Sequence, residues 1–283
     1  MTWPAPAKIN LFLHVTGRRA DGYHTLQTVF RFLDYGDEIS IRVRKDGRIR
    51  RLRGPKEVPA GKDLCVRAAR LLKDETGTAL GADISVTKRI PMGGGLGGGS
   101  SDAATTLLAL NRLWDTRLPR KRLAELGLRL GADVPVFIFG RSAWAEGVGE
   151  KLKPIALPPQ WYVVLAPPVR VSTAEIFRSG ELTVFHPAVK IRGFRAGRVG
   201  NDLEVVVRRR YPQVGAVLGW LAPFGAARMT GSGACVFLPV PDRDAGKRIL
   251  ARRPAGCEGF VARGRDRHPL LRLPDLYRGV AKR

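Results

Sequence analysis

The chain has 283 residues, 44% of them hydrophobic, enough for a sizeable buried core in one large domain or two smaller ones. No run of about 18 apolar residues occurs, so no membrane span is expected, and the apolar patch at 9–15, interrupted by Asn10 and His14, is not a secretory signal. Lysine and arginine total 49 against 25 aspartate and glutamate, a formal charge of +24, which suits either nucleic-acid binding or the steering of a phosphate-rich substrate.

After Pro4 and Pro6, residues 9–15 are short and rich in bulky apolar side chains and predict a strand. Residues 17–23 form a turn around the dipeptide Asp21-Gly22. Two further strands are expected at 26–32 and 37–43. Apolar residues at 64, 65, 66, 68, 69, 71 and 72 predict a largely buried helix over 63–73. Residues 82–87 alternate apolar and polar, the period of a strand. A glycine-rich run from Pro91 to Asp102 follows, and then Ala104, Leu107, Leu108, Leu110, Leu113 and Trp114 recur at helical spacing.

An amphipathic helix at 120–130 is stopped by Gly131. Residues 134–139 are short and apolar and are expected as a strand; Gly147 and Gly149 make a turn. Residues 161–166 read as a buried strand flanked by prolines. The proline-rich stretch at 154–159 sets the expected boundary between an N-terminal domain, 1–156, and a C-terminal domain, 157–283. Beyond it come an irregular connection at 182–200, helices at 201–210 and 213–221, and a second glycine loop at 229–234. A strand at 235–240, a helix at 245–252 and a last strand beginning at 259–262 complete the pattern. Cys65, Cys235 and Cys257 are odd in number and far apart, which predicts reduced thiols, a cytoplasmic protein and no metal-ligand spacing.

The run Pro91-Met92-Gly93-Gly94-Gly95-Leu96-Gly97-Gly98-Gly99-Ser100-Ser101-Asp102 is the most informative stretch. Without Cβ atoms its backbone can take positive φ repeatedly and approach a ligand closely. Successive N–H groups then converge on an anion, and the helix that follows adds its unpaired N–H groups and positive end. A polyphosphate is the natural ligand. No lysine ends the loop, so it is not a Walker A loop. Asp115, near the right distance for a dinucleotide site, falls at the end of a helix rather than a strand, and that fold is rejected.

The run closely resembles the phosphate loop of the GHMP kinases, in the form used by the branch that acts on a cytidine diphosphate-linked methylerythritol. Four more blocks carry the resemblance in order: Pro6-Ala7-Lys8-Ile9-Asn10-Leu11, the stretch from Arg19 to Gln27, the stretch from Leu130 to Phe137, and Thr230-Gly231-Ser232-Gly233-Ala234. It implies an α/β (α+β) GHMP kinase fold, an N-terminal domain like ribosomal protein S5 domain 2 and a ferredoxin-like C-terminal domain, with the site between them. ATP and Mg2+ are the implied cofactors, with the metal ligands unknown. The implied partners are ATP and the small cytidylyl alcohol, with no membrane; a monomer or homodimer is expected.

The same resemblance assigns residues. Asp133 faces the accepting hydroxyl as general base, and Lys8 lies between it and the γ-phosphate. Residues Pro91, Met92, Gly93, Gly94, Gly95, Leu96, Gly97, Gly98, Gly99, Ser100 and Ser101 hold the phosphates. Lys88, Asp63 and Leu64 are the expected contacts to the rest of the nucleotide. Tyr23 and Phe177 sandwich the cytosine, His24 bonds its edge, and Asn10 and Thr173 approach the substrate's polar groups. Asp63 departs from the family's asparagine there; it accepts hydrogen bonds but cannot donate them, which puts the adenine contact in doubt. The chain beyond Ala262 also leaves the pattern and is strongly basic. A kinase for another small alcohol is one alternative; Tyr23-His24 argue against it. Nucleic-acid binding is the other, but the basic residues are dispersed and no aromatic–basic interleaving marks a stacking platform.

Overall fold

The computed structural model describes residues 1–182, 185–197 and 199–272. Part of the irregular connection and the end of the basic tail, 273–283, lie outside the described residues. The mixed α/β class expected from the sequence is observed.

The chain opens with a long antiparallel pair, β1 (Thr2–Arg18) and β2 (His24–Arg44). The sequence predicts a break in β2 near Gly36, but the strand runs through. A Cβ at Gly36 would lie 2.4 Å from the Ala5 carbonyl oxygen. Glycine there lets β2 pass the irregularity between Pro6 and Lys8 of β1 without parting from it. After β3 (Ile49–Arg53) comes α1 (Leu64–Thr76), capped by Asp63 and ended by Gly77 at φ 66°. Next are β4 (Gly81–Thr87), α2 (Gly98–Leu113) and α3 (Arg120–Leu130).

The segment expected as a strand at 134–139 is instead a helix, α4 (Val134–Phe139). Six consecutive apolar residues fit either period, so the pattern could not decide. Pro135 in the first turn and Gly140 at φ 73° just past the end are helix boundary residues. β5 (Ala143–Glu146), β6 (Lys151–Pro154) and β7 (Trp161–Ala166) follow. Then come the helices α5 (Thr173–Arg178), α6 (Ile191–Arg195), α7 (Leu203–Arg210) and α8 (Pro212–Leu221). β8 (Arg228–Met229), β9 (Val236–Val240), α9 (Arg243–Ala251) and β10 (Glu258–Arg265) close the fold.

The strands run in the order β3-β4-β2-β10-β7-β9-β8, with β1 and β5 also on β2 and β6 on β5. β10 joins the two halves of this order, pairing with β7 along most of its length and with β2 at Gly264 and Arg265. One apolar core packs α1 to α4 on strands β1, β2 and β4. A second gathers α5, α7 and α8 on β7 and β9, and takes Leu13 and Val15 from β1. β1 therefore serves both cores, and the side chains between Lys8 and Leu13 fall where they meet.

Candidate active site

A cavity of about 610 Å³ opens along this junction. The glycine run forms one wall. Gly93, Gly95 and Gly97 have φ of 69°, 71° and 71°, which only glycine adopts freely. α2 starts at Gly98, two residues earlier than its capping serines suggest, with Ser101 N donating to Gly97 O at 2.8 Å. The second glycine loop packs directly on the first: Ala234 N donates to Gly93 O at 3.2 Å and Cys235 N to Gly94 O at 3.1 Å. A Cβ at Gly95 would lie 2.2 Å from the Thr230 carbonyl oxygen. The two loops, far apart in sequence, form one unit.

Lys8 leaves β1 at the bulge and is 2% exposed. Its Nζ donates to Asn10 Oδ1 at 2.6 Å and to Gly95 O at 3.0 Å, and lies 3.1 Å from Asp133 Oδ2. Asp133 precedes α4 but makes no capping hydrogen bond to it. Its carboxylate, 34% exposed, is thus paired with Lys8 and open to the cavity. Asn10 is fixed on three sides. Its Oδ1 accepts from Lys8, its Nδ2 donates to Thr28 Oγ1 at 2.9 Å, and its backbone N donates to Thr230 Oγ1 at 2.9 Å.

At the far end, Asp63 and Leu64 line the cavity with Pro55, Val58 and Lys62. Both Asp63 oxygens are engaged: Oδ1 caps α1 by accepting from Cys65 N at 2.8 Å, and Oδ2 pairs with Arg51 Nη1 at 2.9 Å. Lys88 lies at the cavity wall between two carboxylates. It pairs with Asp37 and, at 2.8 Å, with Asp102. Those two anions raise its pKa against the effect of burial. Burial, reinforced by Asp37, outweighs Lys88 at Asp102 and raises that carboxyl to about 7.

On the opposite wall Thr173 Oγ1 and Ser232 Oγ lie 2.6 Å apart, and Phe177 lines the cavity beside them. The His24 ring sits 5.4 Å from Phe177. Burial, then the nearby Arg18, lowers the His24 pKa, so the ring is neutral at pH 7 and can both donate and accept. The structure thus collects most of the expected residues in one cavity. Three do not line it. Tyr23 is 65% exposed at the β1–β2 turn, His24 lies beside Phe177 without reaching the cavity wall, and Ser101 is fully buried.

The GHMP kinases N terminal domain model matches residues 63–141, and the GHMP kinases C terminal model matches 191–259. A 4-diphosphocytidyl-2-C-methyl-D-erythritol kinase of Aromatoleum aromaticum is 60% identical over 94% of this chain and 94% of its own. This chain belongs to the GHMP kinase family. The Thiobacillus denitrificans protein of the same name is 60% identical to this GHMP kinase, over 95% of this chain and 96% of its own. The crystal structure of a 4-(cytidine 5'-diphospho)-2C-methyl-D-erythritol kinase superposes with a TM-score of 0.82 at 36% identity, covering 93% of this chain and 99% of that one. A mevalonate kinase structure, 17% identical with a TM-score of 0.67 over 95% and 99% of the two chains, shares the fold.

Sequence reasoning missed several residues of this GHMP kinase site. Thr28 and Phe30 of β2 line the cavity, and the Lys8 ammonium sits 5.3 Å from the Phe30 ring centre. The pattern of 26–32 predicts their strand, but pairing with Lys8 and Asn10 needs the β1–β2 register. Asp37 and Asp102, the partners of Lys88, are separated from it by 51 and 14 residues, and no local pattern marks that contact.

Proposed function

We propose that the chain transfers the γ-phosphoryl group of ATP to the 2-hydroxyl of 4-diphosphocytidyl-2-C-methyl-D-erythritol, a step of the non-mevalonate route to isoprenoid precursors. Relatives 55–60% identical over most of the chain carry that enzyme's name. The observation that carries the chemistry is the Lys8–Asp133 pair, 3.1 Å apart, beside the glycine loop.

The ATP phosphates lie on the loop from Gly93 to Ser101, held by backbone N–H groups and the start of α2. The base occupies the Asp63–Leu64 end. The accepting hydroxyl lies against Asp133. As its oxygen attacks the γ-phosphorus, the bond to the β-phosphate breaks, ADP leaves and the hydroxyl proton passes to Asp133. The Lys8 ammonium offsets the charge on the transferring group, and the Asn10 and Gly95 oxygens hold it in position. Phosphoryl transfer rests on such positioning and electrostatics. Phe177 stacks one face of the cytosine and His24 bonds its edge, with Tyr23 at the rim.

Among the described residues no group of three or more His, Cys, Asp or Glu could hold a metal ion. Mg2+ brought in with ATP would neutralise charge on the nucleotide phosphates. The N-terminal lobe, 1–156, carries the phosphate loop, and 157–283 supplies Thr173 and Phe177. All three cysteines are free and buried, in keeping with a cytoplasmic protein. Among the described residues no helix is long and apolar enough to cross a membrane. The test is ATP turnover across candidate alcohols. The cytidylyl alcohol should support it; equal turnover with mevalonate or homoserine would remove the proposed substrate.

A further inference from the structure

The wall that receives the phosphates carries an unbalanced charge. Asp37 and Asp102 are both buried, and they share one ammonium, that of Lys88. Two carboxylates and one ammonium leave a net negative charge at the start of α2. A negative charge suits the start of a helix, but it repels a second anion brought beside it.

The two carboxylates are not equivalent. Asp37 accepts from Lys88 through Oδ2, and from Arg89 N at 2.6 Å and Ile90 N at 2.8 Å through Oδ1. Three donors satisfy it as an anion. Asp102 accepts from Lys88 through Oδ2 at 2.8 Å, but its Oδ1 is buried with no partner among the described residues. It is 5% exposed, yet it is part of the cavity wall. An orphan carboxylate oxygen becomes a donor if it takes a proton.

We propose that Asp102 is a proton site coupled to the nucleotide: when a polyphosphate occupies the glycine loop, Asp102 takes a proton from solvent. This deepens the ATP-dependent reading above and rests on it. The proton adds to the Asp102 carboxylate and no other bond changes. The cluster becomes neutral, and Lys88, left with Asp37 alone, turns its charge toward the nucleotide. The phosphates supply the driving force, because a second negative charge nearby favours the neutral acid.

The groups around Asp102 agree with this. Asp37 faces it from β2 and Lys88 from the end of β4. Cys65 faces it from α1, and burial holds that thiol well above its usual range, so it stays uncharged. With the free carboxyl already raised to about 7, the proton is within reach at neutral pH. The sign of the pH effect follows. Nucleotide affinity is highest below pH 7 and falls as pH rises through the free and then the bound value, by up to about tenfold per pH unit.

The test is calorimetric titration of the full chain with ADP and Mg2+ between pH 7 and 9, where the phosphates of the complex are already ionised. Two buffers of different ionisation enthalpy give the proton count. Wild type should take up a fraction of a proton, up to one, and lose affinity as pH rises. Asp102→Asn, checked by thermal melting, should bind ADP with no proton uptake and a flat pH profile. No uptake by wild type overturns the proposal without reference to any variant. Equal uptake by Asp102→Asn, or loss of ADP binding in that variant with its melting unchanged, also overturns it; the latter would make the carboxylate itself the ligand. A wild-type chain that binds no ADP overturns this inference together with the nucleotide reading. Proton uptake with no phosphorylation of the cytidylyl alcohol supports this inference and removes only the proposed acceptor.

Discussion

Thr28 touches neither reacting group, yet the geometry makes it a positioning residue for both. It is 1% exposed. Its hydroxyl donates to Phe12 O and accepts from Asn10 Nδ2 at 2.9 Å. That second bond fixes which way the Asn10 amide faces, and so presents Oδ1 to Lys8 Nζ at 2.6 Å. Thr28→Val keeps the shape and removes the hydroxyl. Two buried groups then lose a partner, each at about 1–3 kcal/mol, offset by roughly 1 kcal/mol for the added buried methyl. The net loss is about 1–5 kcal/mol, or very roughly 2–10 °C in Tm, on the scale that applies to large domains.

The catalytic effect is separable from that loss. A freed amide can turn its NH2 toward the ammonium and displace Lys8 by about an ångström, a change that can cost about a hundredfold. kcat should fall by about 10–100-fold at a temperature where the variant is fully folded, with KM for ATP nearly unchanged. Thr28→Ser restores the hydroxyl and should recover most of kcat. Steady-state kinetics beside thermal melts of the three proteins test this. A Thr28→Val enzyme with wild-type kcat, or a Thr28→Ser enzyme as impaired as Thr28→Val, would refute the reasoning.

The cytosine clamp predicts that Phe177→Ala raises KM for the cytidylyl alcohol more than KM for ATP, by about tenfold, since stacking on an aromatic is worth roughly 1–3 kcal/mol. Tyr23→Ala, at an exposed position off the cavity wall, should raise it less; equal rises for both substrates in Phe177→Ala would indicate a folding defect instead. His268 is buried, with Nδ1 accepting from Leu270 N at 3.2 Å and Nε2 without a partner among the described residues. Burial first, and then Arg120, push its pKa from 6.5 down to about 3. A depressed folded value means this contribution is complete above about 6.5 and is lost as pH falls toward 3. At about 1.4 kcal/mol per unit, denaturant unfolding at pH 5 should show roughly 2 kcal/mol less stability than at pH 6.5 from this group. His268→Asn keeps an acceptor that cannot charge and should remove that component; an unchanged acid slope would show that other groups carry it.

Much of the fold was legible where one physical signal dominated. Helix α3 begins and ends as its periodicity and Gly131 predict, and the phosphate loop lies between a strand and a helix as its glycines require. The errors fall where local pattern is degenerate. Residues 134–139 are apolar throughout, so no period shows, and the helix is marked only by Pro135 and Gly140. β2 is unbroken because Gly36 faces the Ala5 backbone, a cross-strand contact. In the site, the family resemblance points to Lys8, Asn10 and Asp133, and the structure brings them together. Thr28 and Asp37 needed the register of β1 on β2 and of β2 on β4, and Asp102 the packing of α2 on the sheet. The resemblance places Tyr23 with His24 at the cytosine, but Tyr23 lies in the turn before β2 and is 65% exposed, off the cavity wall. His186 pairs with Asp202 at 2.8 Å and stacks on His14, contacts that no local pattern marks.

The most direct test of the account is kcat of Asp133→Asn with ATP and the cytidylyl alcohol. The substitution keeps size and removes the base, while the phosphate loop and the Phe177 wall are untouched. General-base catalysis contributes about 10²–10⁴-fold, so kcat should drop within that range, with both substrates still binding and melting behaviour preserved. A variant with kcat within about threefold of wild type, against that expected range, would remove Asp133 from the chemistry and contradict the account.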